Sequence, residues 1–447
     1  MKTILLAAAA ALTVPAAAGA ATLTLEKIRT GRPVTDIVSS GDGDRRGYVL
    51  SLGNGAEPSG RIDIYDPDRG AFAATPFLDA VPDSAQAFSL AFAPDHALSG
   101  AAYVSYRTPD RRHKVVRYTR LAGEDRLDPL SAEVIVTVDH SDGAARGTHY
   151  GADIAFGPDG MLYVTTGDSD RPVTGVSVSQ DPRDPRGAVL RIDPSRDDLP
   201  ADPGNNFGLP ADNPDFGPDA APGLWAVGLR NPFKADWDAA TGRYLVADVG
   251  EDDWEEVVLG AAGANYGWSA FEGPAAGPGA LPPGGAAGAL AGPLYAYRHG
   301  GDPLEGYSIT GGVVVRGGLA ALEGQYVFGD FGGFGVPVFT GGRVFSFAAD
   351  AAAGDLPGGV TAYRILYPAS ALNPTGDGLD RVLSFGQDGA GNLYVADFAD
   401  GDLFRVAAAR MGVVPLPASA WLLALALGGL AGAARRRGPA AAGSGRR

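Results

Sequence analysis

The chain has 447 residues, 45% of them hydrophobic, with 66 glycines, 34 prolines, no cysteine and a formal charge of −16. This length and apolar content allow a large buried core, and the dispersed glycines and prolines suit many turns between short strands rather than disorder. Absence of cysteine excludes disulfides and thiolate metal sites, and the acidic balance argues against nucleic acid or anionic membranes as partners.

The N-terminus has a secretory pattern. Lys2 precedes an apolar run from Ile4 to Leu12, and Ala18-Gly19-Ala20 has the small residues of a cleavage site. Residues 1–20 are expected to be a signal peptide cut after Ala20, which makes this a chain secreted across the inner membrane. Helical periodicity is weak in the body that follows, 21–408. Instead a Gly/Asp turn and a short strand built around a tyrosine recur, at Tyr48, Tyr103, Tyr163, Tyr244, Tyr326 and Tyr394, spaced 55, 60, 81, 82 and 68 residues apart. Further alternating runs (RIDIYD, KVVRYTR, AVLRID, GVVVRG, RVFSF) fill the intervals. Several short strands per unit, repeated six times, predict an all-β fold, a six-bladed β-propeller, with the long insertions as functional loops on its faces. Two packed sandwiches are the alternative, but no segment of linker composition divides the body.

His149, one of five histidines, stands just before a predicted strand, where an imidazole can act as a general base. The richest stretch runs from Leu224 to Trp268. Arg230 and Asn231 precede Pro232, which keeps them out of helix and offers a charged fork and an amide to an oxygen-rich anion. Asp248, Glu251, Asp252, Asp253, Glu255 and Glu256 follow closely, and such a cluster repels itself unless it is solvated or neutralised by a hard cation such as calcium. No P-loop, zinc-binding His-x-x-x-His or helix-opening GxGxxG is present, so nucleotide-dependent chemistry is not expected.

At the C-terminus, residues 413–447, Val414-Pro415-Leu416-Pro417-Ala418 leads into an apolar segment ending at Ala434, followed by Arg435-Arg436-Arg437. Counted from Val413 the segment is 22 residues long, about the length that spans a bilayer, with the arginines on the cytoplasmic side. This transmembrane tail resembles the VPLPA-type C-terminal sorting signals of Gram-negative bacteria. The resemblance implies an exosortase-type processing protease and residence in the periplasm or at the outer surface, at least transiently anchored.

Across residues 24 to 407 the order of FGPDGMLYVTTGD, GLRNPF, ADVGEDDWEEV, NYGW, YSITGG, YVFGDF and SFGQDGAGNLYVADF resembles the glucose/sorbosone dehydrogenase family of six-bladed propellers. The resemblance implies pyrroloquinoline quinone (PQQ) with calcium as cofactors, and oxidation of a sugar or aldehyde to a lactone or acid. A quinone or periplasmic cytochrome would be the electron acceptor. It assigns His149 as general base, Arg230 and Asn231 as cofactor contacts, and Arg381 near a late cofactor-binding arginine. Gly250 and Glu251 fall where backbone carbonyls hold calcium, and Glu256 and Tyr266 match calcium positions of the aldose dehydrogenase branch.

The chain also departs from the family. Ser84 occupies the place of an expected Gln or Glu, with Gln86 displaced by two residues and taken as the cofactor contact. Ala93-Pro94-Asp95-His96 replaces HPDF, Ala152-Asp153 replaces the expected glycine or arginine, and Phe328–Phe339 carries no cation. Loss of such contacts bears on a tricarboxylated cofactor, at about 1.5–3 kcal/mol for each charge-assisted hydrogen bond. The alternative is a non-catalytic propeller displayed at the surface that binds glycan or protein, as the hedgehog-interacting relatives imply. A calcium-dependent lactone hydrolase ranks last, because the carboxylates sit in one loop.

Overall fold

All six repeat tyrosines lie in strands: Gly47–Ser51, Ala101–Arg107, Leu162–Thr166, Arg243–Asp248, Gln325–Asp330 and Leu393–Asp397. Their rings are buried, and alternation of apolar and small residues around them suits a pleated element covered on both faces. The computed structural model describes residues 21–53, 59–142, 149–171, 175–332, 343–353, 356, 359–366 and 377–410. The expected signal peptide and sorting tail lie outside the described residues. Among these residues no helix is long and apolar enough to cross a membrane.

Each tyrosine strand pairs antiparallel with the strand before it. The preceding strands are Val34–Val38, Gln86–Phe92, Gly151–Phe156, Pro232–Asp238, Ile309–Val314 and Val382–Gln387. Third and fourth strands extend the ladders outward, for example Arg112–Thr119 and Glu133–Asp139, or Trp254–Leu259 and Tyr295–Arg298. The ladder of Val382–Gln387 is completed from both ends of the body, because Thr22–Arg29 pairs antiparallel with Leu403–Arg410. The protein is all-β; helix is confined to His96–Ser99 and short 3-10 turns among the described residues.

The six preceding strands touch one another in chain order, and Val382–Gln387 returns to Val34–Val38. This closed ring leaves no division into two sandwiches. Ile37 pairs with Gly386 in a parallel bridge, and side chains tie like depths of neighbouring strands. Asp36 accepts from the Leu90 N–H (2.9 Å), Asp153 from Ala235 (2.9 Å) and Asp236 from Val314 (2.6 Å). The inner strands therefore run in one sense and their N-terminal ends share one rim. At the ring's interior the Lys234 ammonium lies 2.8 Å from Asp153 and 3.2 Å from Asp36, all three buried. Asp153, a departure in sequence, is thus one of the two carboxylates in a buried ion cluster. Aromatic edges fill the space between ladders, as where Tyr163 meets Trp225 at 5.1 Å and Trp237 at 4.9 Å between ring centres.

Candidate functional site

The rim where inner strands begin is also where tyrosine strands end, and four of the latter end at or just before an aspartate: Asp168, Asp248, Asp330 and Asp397. Three of these carboxylates take the two N–H groups preceding the inner strand of their ladder. Asp248 accepts from Arg230 (2.9 Å) and Asn231 (2.7 Å), Asp330 from Tyr307 (2.9 Å) and Ser308 (3.0 Å), and Asp397 from Asp380 (2.8 Å) and Arg381 (2.7 Å). At Asp168 the imidazole of His149 occupies the corresponding place, its Nδ1 2.8 Å from Oδ1. The structural repeat has been converted there into a polar dyad.

Asp168 is held from two further sides. Its second oxygen accepts from Trp268 Nε1 at 2.8 Å, and its first from the Asp170 N–H at 2.9 Å. An imidazole donating Nδ1–H to this carboxylate leaves Nε2 as an acceptor, the form a general base requires. Asp170 Oδ1 lies 3.7 Å from that nitrogen. The indole of Trp268 also carries the Arg230 guanidinium, 5.4 Å from its ring centre.

Arg230 is buried and already engaged. Nε donates to Glu251 Oε2 at 2.8 Å, Nη2 donates to the same carboxylate, and Nη1 donates to the Val249 carbonyl at 3.0 Å. Asn231 uses its side-chain oxygen to accept from Gly151 N at 3.0 Å, pinning the start of the strand after His149. Gln86 accepts from Arg107 Nε at 3.2 Å, and that guanidinium lies 5.9 Å from the ring centre of Tyr150, the neighbour of His149. Arg381 lies over Phe331 at 5.0 Å, next to Phe398. A cation missing from the Phe328–Phe339 stretch is thus supplied to Phe331 by the following ladder. His149, Arg230, Asn231, Gln86 and Arg381 all lie at the starts of inner strands, on one rim.

The acidic loop is organised by backbone. Glu272 Oε1 accepts from four consecutive N–H groups, Glu251 (2.9 Å), Asp252 (3.0 Å), Asp253 (2.9 Å) and Trp254 (3.1 Å). The side chains of Asp252 and Asp253 consequently face solvent. Gly250 admits no side chain, because a Cβ there would meet the Trp254 carbonyl at 1.6 Å. Glu255 is buried against His299 (2.7 Å) and Ile309 N (2.8 Å), and Glu256 accepts from Gly273 N. Burial and the neighbouring Asp248 push the Glu256 carboxyl up to about 8. Asp248 itself rises to about 7 through burial, opposed by the Arg230 and Asn231 N–H groups. Tyr266 spends its hydroxyl on a turn, donating to Leu259 O (2.7 Å) and accepting from Ala261 N (3.1 Å). Among the described residues no three His, Asp or Glu side chains converge as a metal site.

Residues 56–317 match the family model described as Glucose / Sorbosone dehydrogenase. The chain belongs to this family. Within curated proteins it is 32% identical over 270 residues to the HIPL1 protein of Arabidopsis thaliana, covering 56% of this chain and 37% of that one. It is 29% identical over 239 residues to the mouse (Mus musculus) Hedgehog-interacting protein, covering 48% and 32% respectively. The chain thus spans less than two fifths of the length of these relatives. The PQQ-bound aldose sugar dehydrogenase of Streptomyces coelicolor has the same fold, with a TM-score of 0.60 at 21% identity over 88% of this chain and 98% of that one.

For this member of the glucose/sorbosone dehydrogenase family, sequence reasoning missed Asp168, Trp268, Glu272 and Lys234. Asp168 had a signal: the Gly-Asp or Ala-Asp that closes four of the tyrosine units. Trp268 sits 100 residues from Asp168 and Glu272 some 20 from the loop it gathers, so neither had a local one.

Proposed function

We propose that this protein is a PQQ-dependent sugar or aldehyde dehydrogenase built on a six-bladed propeller, each ladder forming one blade. The observation that carries the reading is the His149–Asp168 dyad beside a guanidinium stacked on Trp268. The donor set suits a planar polycarboxylate: Arg230 and Arg381 each lie over an aromatic ring at the same rim, and Arg107, the last residue of its strand, donates to Gln86 at a third inner-strand start. When bound, the quinone supplies a two-electron acceptor for hydride. His149 Nε2 takes the hydroxyl proton of the substrate, Asp168 holds Nδ1 and balances the imidazolium, and Arg230 orients the anion. Calcium belongs to the proposal through the carbonyls of Gly250 and Glu251 and through Glu256, whereas Tyr266, its hydroxyl engaged with Leu259 and Ala261, does not fit as a ligand, and no chemical step is derived from the ion. Export by residues 1–20, exosortase-type processing of the tail, and a quinone or periplasmic cytochrome acceptor complete the reading.

A binding role is the second reading, and one contact favours it: Glu251 already neutralises Arg230. The relative named for interaction with Hedgehog is consistent with it. Isothermal titration of the purified protein with PQQ, with and without calcium, separates the two. The dehydrogenase reading expects binding at micromolar concentration or tighter that Arg230→Ala abolishes. It also expects dye-linked aldose oxidation that His149→Asn lowers by about 10²- to 10⁴-fold. No binding under either condition favours the surface-binding propeller.

A further inference from the structure

A general base that takes a proton must lose it before the next turnover, and the surroundings of His149 make its two nitrogens unequal in this respect. Nδ1 faces Asp168, whose side chain is 3% exposed and whose other oxygen is taken by Trp268. That side is buried among the described residues. Nε2 faces Asp170, whose side chain is 29% exposed.

Asp170 does not reach this place by default. Ser169 and Asp170 have φ of +70° and +53°, consecutive left-handed residues that are not glycine, at a cost of about 1–2 kcal/mol each. Contacts on both sides hold the turn. Ser169 N–H donates to the His149 carbonyl at 3.1 Å, and Asp170 N–H donates to Asp168 at 2.9 Å. The Ser169 hydroxyl lies 2.8 Å from His140 Nδ1 and accepts from Arg186 Nη1 at 3.2 Å. His140 is fully buried at the end of the neighbouring ladder's outer strand, and burial keeps it neutral, well below the usual imidazole range. A histidine of one ladder thus braces a strained turn of the next, and that turn carries a carboxylate to the working nitrogen of the base.

We propose that Asp170 is the proton-exit group of this site, receiving the proton from His149 Nε2 and releasing it to solvent, with His140 and Ser169 as its positioning residues. The inference rests on reading His149 as the general base. In the step the Nε2–H bond breaks and an O–H bond forms on Asp170, leaving a neutral imidazole and a carboxylic acid; water or a buffer base then removes the proton. No electrons leave the pair. The 3.7 Å separation is closed by a side-chain rotation.

The test is chemical rescue of the quinone-loaded protein. Asp170→Asn is expected to lower kcat about ten- to a hundred-fold with KM within about twofold, and millimolar imidazole should restore most of the loss. Asp170→Glu should retain activity without added buffer. An unchanged kcat, or a loss that no buffer restores, overturns the proposal. A second measurement needs no turnover: in quinone-free protein labelled with 15N-histidine and acidified until His149 Nε2 carries a proton, water exchange of that proton should slow about tenfold in Asp170→Asn. Unaltered exchange overturns the proposal even if the dehydrogenase reading holds. Slowed exchange in a protein that oxidises no sugar upholds the relay and sinks only that reading.

Discussion

At the scale of single residues, the site is a set of charges whose partners are already chosen. Arg230 is the clearest case, because the guanidinium it would offer an anionic ligand is pre-empted by Glu251. Glu251→Gln removes the competitor while leaving the loop's N–H groups on Glu272. The affinity for PQQ, read by titration calorimetry of the calcium-free protein, should then rise about tenfold, as for one charge-assisted hydrogen bond released. Glu256 makes a second case. Its carboxyl is raised from 4.5 to about 8, so the folded state holds a proton that the unfolded state has lost. For a raised group the stability is present in full below pH 4.5 and is lost as pH climbs towards 8. Thermal unfolding should therefore occur at falling temperature across this window, and Glu256→Gln should flatten the fall. The calcium proposed at Glu256 would need the ionised form. Millimolar calcium at pH above 8 should raise the transition of the native protein and leave that of Glu256→Gln unmoved.

Among the elements, the loop from Gly250 to Trp254 shows how little an acidic run says about its own conformation. Its sequence suggests a metal loop, and the structure gathers it around the carboxylate of Glu272, which lies on the short strand Phe271–Glu272. The backbone faces inward and the charges face out. Glu272→Ala is expected to lower unfolding free energy by about 1.5–3 kcal/mol, since a buried charged acceptor is removed from four donors. Urea denaturation measures the loss, and hydrogen exchange at residues 251–254 should accelerate by more than the global destabilisation explains. The tyrosine strands tell the opposite story. Their alternation, their Asp-Gly turns and their central ring were legible because each is a property of the segment itself. The aspartate that closes them could be read as a repeat, whereas its exchange of a backbone partner for His149 could not, because that choice depends on the neighbouring strand's start.

For the whole molecule, the decisive feature is ring closure. The Thr22–Arg29 strand completes the sheet of Leu403–Arg410, and inner strands from separate ladders share the Lys234 ammonium between Asp36 and Asp153. Lys234→Met leaves two buried carboxylates without their cation, and breaking a buried pair of this kind costs about 3–5 kcal/mol. Urea unfolding should show that loss as a shifted midpoint with an unchanged slope; an unchanged midpoint would mean that the cluster contributes nothing to holding the ladders together.

The sequence by itself determined the strand periodicity, the buried tyrosine of each ladder and the rim residues His149, Arg230 and Asn231, because alternation and turn chemistry act over a few neighbouring positions. Only the tertiary structure decided what those rim residues touch. Asp168 meets Trp268 across 100 residues, and Lys234 meets Asp153 across 81. A buried charge takes the partner that the closed ring places beside it, and closure brings together segments whose separation along the chain carries no signal of their contact.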